Sequence, residues 1–137
     1  MMDKYALIIT IHDVTPCNTA SDFSWKQKRG HRQRWEKIIF GYTLGQRPTN
    51  PLPFAKITVT RHTPGTAPDY DNLVSSNKWI IDPMIKCGII LDDKPSVIGR
   101  VDAHWRRCRS GKKHTTIYVR ECESWELDTS PWEWELA

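Results

Sequence analysis

Apolar and polar positions along this chain fall into short, distinct patterns. Lys4 to His12 is rich in Ile and alternates weakly between apolar and polar positions, which predicts a first strand ended by the turn signal Thr15-Pro16-Cys17-Asn18. From about Ser21 to Leu44, the apolar residues Phe23, Trp35, Ile38, Ile39 and Tyr42 suit a basic amphipathic helix, loosened near Gly30 and ended by Gly45. Phe54 to Thr60 alternates cleanly and predicts a second strand, followed by a Pro/Gly loop from His62 to Pro68. Val97 to Arg107 and His114 to Glu121 read as two further strands joined by a hairpin turn at Ser110-Gly111-Lys112-Lys113.

Between these strands lies a helical segment. Counted in helical steps from Asp71, Ser75, Lys78 and Asp82 share one face, with Val74, Ile81 and Ile85 opposite. Asn72 suits an N-cap and Gly88 a C-terminal stop. Pro83 is out of place inside a helix, where it costs about 3 kcal/mol. The expected remedy is a kink, or a second short helix with Asp82 as N-cap and Pro83 at its first position.

These elements predict an α/β fold of the α+β type: a small mixed sheet of about four strands packed with two main helices. At 137 residues the chain fits a single domain whose modest core would gain from a partner subunit. Its longest apolar runs are of strand length, so neither a signal peptide nor a membrane span is expected, and the expected location is cytoplasmic. The four cysteines form no CxxC pair, and His104, Cys108, His114 and Cys122 do not have a zinc-finger spacing. Reduced, structural thiols are the expectation.

Charge changes the picture more than composition does. The net charge of +4 hides an asymmetry, because Glu121, Glu123, Glu126, Asp128, Glu133 and Glu135 occupy the last 17 residues with no Lys or Arg among them. The rest of the chain sets 20 basic residues against 10 acidic ones, near +10. Its cations form two clusters, Lys26, Lys28, Arg29, Arg32, Arg34 and Lys37, then Arg106, Arg107, Arg109, Lys112 and Lys113. A polyanion is the natural partner. The bland alternative is a solvated basic face. Residues 122–137 read as an acidic tail carrying three of the seven tryptophans, Trp125, Trp132 and Trp134, and residues 1–121 as the body. The tail is expected to pack on the body or a dimer mate, or to cover basic surface, so that deleting it strengthens DNA binding. Trp35 and Trp79 are expected in the core.

Five acids, Asp69, Asp71, Asp82, Asp92 and Asp93, fall within residues 69–93. Two unpaired carboxylates about 4 Å apart repel by roughly 4 kcal/mol at an effective dielectric near 20, so a fold that gathers several neutralises them with a cation, here a hard divalent metal. Asp69 and Asp71, two apart, can face one ion from an extended strand end. Taken singly, each element has an ordinary reading: a DxD in a loop, a turn at Asp92-Asp93-Lys94-Pro95, an i,i+4 surface pair of Lys78 with Asp82. Asp82 reads as a cap or as the partner of Lys78 before it reads as a ligand.

The string Asp69-x-Asp71-Asn72-Leu73, then Lys78-x-x-x-Asp82, then Gly88-x-Ile90-x-Asp92-Asp93 resembles the RusA family of Holliday junction resolvases, carried by bacteria and their prophages. The first strand followed by Pro16-Cys17-Asn18 is similar to the family's entry segment. Pro83 and the acidic tail depart from the family's pattern. The resemblance implies a homodimer that nicks four-way DNA junctions symmetrically, in recombination and repair, with Mg²⁺ or Mn²⁺. It implies Asp69, Asp71 and Asp93 as the essential metal-holding acids, Asp92 as a supporting ligand and Lys78 as the essential lysine. DNA affinity would then come from Lys26, Lys28, Arg29, Arg32 and Arg34 with Arg106, Arg107, Arg109, Lys112 and Lys113. The alternatives are a metal-dependent nuclease on other branched or single-stranded DNA, and a non-catalytic basic DNA-binding protein.

Overall fold

In the computed structural model of the chain, residues 4–17 and 23–130 are described. Asn18 and Ser21 of the expected turn and helix start, and Trp132, Glu133, Trp134 and Glu135 of the tail, therefore lie outside the described residues. The element order is β1 (Ala6–Ile11), α1 (Trp25–Thr43), β2 (Ala55–Thr63), α2 (Tyr70–Ser76), α3 (Lys78–Lys86), the single turn α4 (Pro95–Ile98), β3 (Asp102–Arg107) and β4 (His114–Glu121), with one 3₁₀ turn at Ser124–Glu126. The fold is mixed α and β, as expected, with four strands in one sheet among the described residues.

The sheet order is β1-β4-β2-β3, with β2 and β3 parallel and the other pairs antiparallel. The predicted β3–β4 hairpin does not form: β2 lies between the two, and the loop at residues 108–113 steps over it. The burial pattern explains why. β4 alternates and buries Thr115, Ile117 and Val119, so it gains most between two neighbours. In β3, Asp102, His104, Arg106 and Arg107 are exposed, the charged composition that suits an edge.

One sheet face, carrying Leu7, Ile9, Ile11, Ile57, Val59, Ile117 and Val119, is buried in the core that also takes Trp35 and Ile39 of α1 and Ile80 and Met84 of α3. Trp79 packs against this core partly buried. On the opposite face, Ile8 and Tyr118 sit side by side in register and exposed.

Helix α1 starts later than the periodicity predicts and runs through Gly30 unbroken. Ser24 caps it: its hydroxyl accepts from Gln27 N, and Gln27 Oε1 accepts from Ser24 N at 2.7 Å. That cap and the burial of Trp35 and Ile39 outweigh the roughly 1 kcal/mol cost of one helical glycine. Gly45 follows the helix at φ 79°, as a stop requires.

The helical segment expected from Asn72, with a kink or a second helix starting at Asp82, is two helices, α2 and α3. The first begins at Tyr70, so Asp69 and not Asn72 is its N-cap residue. The break falls at Asn77, five residues before the one expected at Asp82. Asn77 donates its N–H back to Val74 O while its carbonyl accepts from Ile80 N and Ile81 N, both at 2.9 Å. Pro83 is carried inside α3, buried with Ile80, Ile81 and Met84. Burial of this apolar face supports the helix despite the missing donor. Val97 and Ile98, expected in a strand, instead form α4 behind Pro95 at its first position.

Residues 122–130 are packed onto the body. Cys122 is buried and donates its N–H to Phe54 O, Glu126 pairs with Arg120 at 3.3 Å, and Asp128 O accepts from Arg100 N at 2.8 Å. No disulfide joins any of the four cysteines. Among the described residues no helix is long and apolar enough to cross a membrane.

Candidate active site

A cavity of about 490 Å³ opens where α2, α3 and α4 meet residues 128–130. Lys78 and Asp82 enter it from α3, one helical turn apart, and Asp93 from the turn before α4. That turn is held by Asp92, whose carboxylate accepts from Asp93 N at 2.7 Å and lies 3.7 Å from Lys94 Nζ. These bonds, the one from Asp93 N first, hold the Asp92 carboxyl below its ordinary range.

Asp82 is the half-buried acid at the centre. Burial pushes its carboxyl pKa up and the charge of Asp93 adds to the rise, while Lys78, Arg32 and Lys86 oppose it. A smaller cavity of about 370 Å³ on the other side of Lys78 and Asp82 is lined also by Ser75, Trp79, Lys28 and Arg32. The face Ser75–Lys78–Asp82 expected from helical counting thus exists across the α2–α3 break, and it faces the first basic cluster on α1.

Asp69 and Asp71 stand at the exposed start of α2. Asp71 is one turn before Val74 and Ser75, which line the larger cavity, so it shares their helix face at the outer end. Among the described residues, no three of His, Cys, Asp and Glu are grouped so as to hold a metal ion. Asp82 and Asp93 do share a cavity, and Mg²⁺ typically takes one or two protein carboxylates, with water and phosphate oxygens completing its shell. Burial first, and the Asp93 charge after it, raise the Asp82 pKa; a cation between the two carboxylates would relieve the second of these, so the cavity can take such an ion through Asp82 and Asp93.

Two cavity residues escaped the sequence reading. Asn77, only 4% exposed, has its Nδ2 buried without a hydrogen-bond partner, a donor that a phosphate oxygen or water would satisfy. Arg100 also lines the wall, with Asp128 3.5 Å away. No local signal marks either one, because the cavity closes only when residues 127–130 lie across Gly99. Of the basic residues, Lys26, Lys28, Arg29, Arg32, Arg34 and Lys37 ride on α1, Arg106 and Arg107 on β3, and Arg109, Lys112 and Lys113 on the loop after it. No protein-family model matches the chain, and no curated protein matches it.

Proposed function

We propose that this chain is a Mg²⁺-dependent endodeoxyribonuclease that nicks four-way DNA junctions, acting as a homodimer, as its resemblance to the RusA family implies. The observation that carries the reading is the meeting of Lys78, Asp82 and Asp93 in one cavity beside the cationic face of α1. Lys78 supplies a positive charge where a scissile phosphate would lie and stabilises the negative charge that builds on it. Asp93 and Asp82 would hold the ion, which would supply activation of water and neutralisation of phosphate charge, while Asp69 and Asp71 stand at the exposed start of α2. Asp92 keeps Asp93 in place through its backbone bond.

A two-fold dimer matches the near two-fold symmetry of a junction that needs two nicks, and the uncovered sheet face around Ile8 and Tyr118 is available for it. The cations of α1 and of the β3–β4 loop meet phosphates, which makes affinity fall by roughly 0.9 log unit per decade of salt for each phosphate neutralised.

The test is incubation of a labelled four-way junction with Mg²⁺ and the wild type, Asp71→Asn, Asp93→Asn or Lys78→Ala. Paired symmetric nicks from the wild type and their loss in the variants are expected. Cleavage of forks or linear single strands in preference to junctions would reassign the substrate. Junction binding without cleavage, unaffected by Asp71→Asn, would reduce the protein to a DNA-binding module.

A further inference from the structure

A second feature lies outside that cavity. Between the end of β1 and the start of α1 is a cleft of about 410 Å³ whose lining includes Thr15, Phe23, His31, Arg34, Arg61 and Lys113. It draws its cations from both basic clusters and the strand between them: Arg34 from α1, Lys113 from the β3–β4 loop, and Arg61 from near the C-terminal end of β2. Arg61 is fixed by donating to Thr15 O at 2.7 Å, and Arg34 pairs with Asp13. The second basic cluster, distant in sequence, is thereby brought next to the first.

His31 joins this cleft to the candidate active site. Its ring stacks on Phe23 at 4.7 Å, 13° from parallel, and meets Trp79 edge-on at 5.9 Å. Trp79 in turn lines the cavity that holds Lys28, Arg32, Lys78 and Asp82. The two cavities are thus linked through the partly exposed rings of Phe23, His31 and Trp79, with Lys113 and Arg61 on one side of these rings and Lys28, Arg32 and Lys78 on the other.

We propose that this path binds one unpaired strand of nucleic acid and leads it to the Lys78–Asp82–Asp93 cavity. Phosphates would meet the cations and unstacked bases the rings, a combination that duplex DNA, with its bases already stacked, does not use. An acidic peptide would satisfy the cations and leave the ring ladder without a role. The inference rests on the reading of the cavity as a nuclease site, and it names the form of substrate that reaches it.

Binding without cleavage separates the two proposals. The full chain in EDTA is titrated against a fluorescent 15-mer of oligothymidylate and a blunt duplex of equal length, with anisotropy as readout. The expected result is tighter binding of the single strand, weakened about fivefold or more by His31→Ala, consistent with the loss of one stacking partner. Lys113→Gln, on an exposed loop, should lower the slope of log affinity against log salt by about 0.7, one phosphate's share on a single strand. Circular dichroism checks that both variants stay folded. Equal or tighter binding of the duplex, wild-type single-strand binding by folded His31→Ala and Lys113→Gln, or displacement of the strand by polyglutamate at matched charge would overturn it. Loss of junction cleavage in the Mg²⁺ assay with this binding intact would count against the nuclease reading alone.

Discussion

Gly99 is the point where the wall of the cavity is most sensitive to a single methyl group. Its backbone stands at φ 58° and ψ −144°, a region that essentially only glycine occupies. A Cβ there would meet Asp128 O at 2.8 Å, Asp128 N at 3.1 Å and the Leu127 Cβ at 3.2 Å. The first two are backbone atoms, so residues 127–128 must move bodily. Gly99→Ala therefore adds backbone strain of about 1–3 kcal/mol. It also threatens the bond from Arg100 N to Asp128 O, worth about 1 kcal/mol. Together these destabilise by about 2–4 kcal/mol, a large part of the 5–15 kcal/mol typical of a whole domain. Gly30 is the internal control, since its Cβ would meet nothing within 4 Å in mid-helix. Gly30→Ala should stabilise by about 0.5–1 kcal/mol. Urea unfolding followed by tryptophan fluorescence measures both. A Gly99→Ala midpoint equivalent to less than about 0.5 kcal/mol of loss, against the 1–3 kcal/mol of expected strain, would refute the assignment of residues 127–130 as a fixed wall.

Further outcomes follow from burial and charge. The Asp82 carboxyl is raised from an ordinary value of 3.8, so the folded state binds this proton more tightly than the unfolded chain, and stability falls as pH rises from about 4 through the folded pKa. Asp82→Asn removes that slope; the variant should gain on the wild type between pH 4 and 7 in thermal melts, and a parallel pair of stability curves would count against it. Ile39→Ala, at a fully buried position of α1, should cost about 2–5 kcal/mol in urea titrations, and a smaller loss would mean that α1 is not seated on the sheet as described. Deleting residues 131–137 removes Glu133 and Glu135 and should strengthen DNA binding at low salt, and unchanged or weaker binding would count against it. Deleting residues 122–137, which include buried Cys122 and the Glu126 and Asp128 pairs, should lower the melting temperature, and a melting temperature equal to that of the full chain would mean that residues 122–130 are not packed on the body as described.

Local pattern carried far in this chain. β4 has the bounds its alternation predicts, because a strand buried on one face leaves a period-two trace that nothing else imitates. The face of Ser75, Lys78 and Asp82 was legible from helical spacing, and it survives the break at Asn77. Helix boundaries were less legible. The capping pair Ser24 and Gln27 lies upstream of the strongest apolar periodicity, and Pro83 drew attention away from Asn77, where the backbone turns.

By itself the sequence determined the presence of four strands and of the long basic helix, the basic body and the string of acids with one lysine, all properties of residues close together in the chain. Tertiary structure decided which of them meet. Strand order is a non-local choice: charged β3 goes to the edge and apolar β4 to the interior, so a hairpin that looked natural locally is not made. The same packing brings Asp93 to Asp82 and lays residues 127–130 over Gly99. It also stacks His31 on Phe23 and sets it edge-on to Trp79. Asp82, which the spacing reads as a cap, becomes the central acid because burial and a neighbouring charge, rather than its place in the string, set its chemistry.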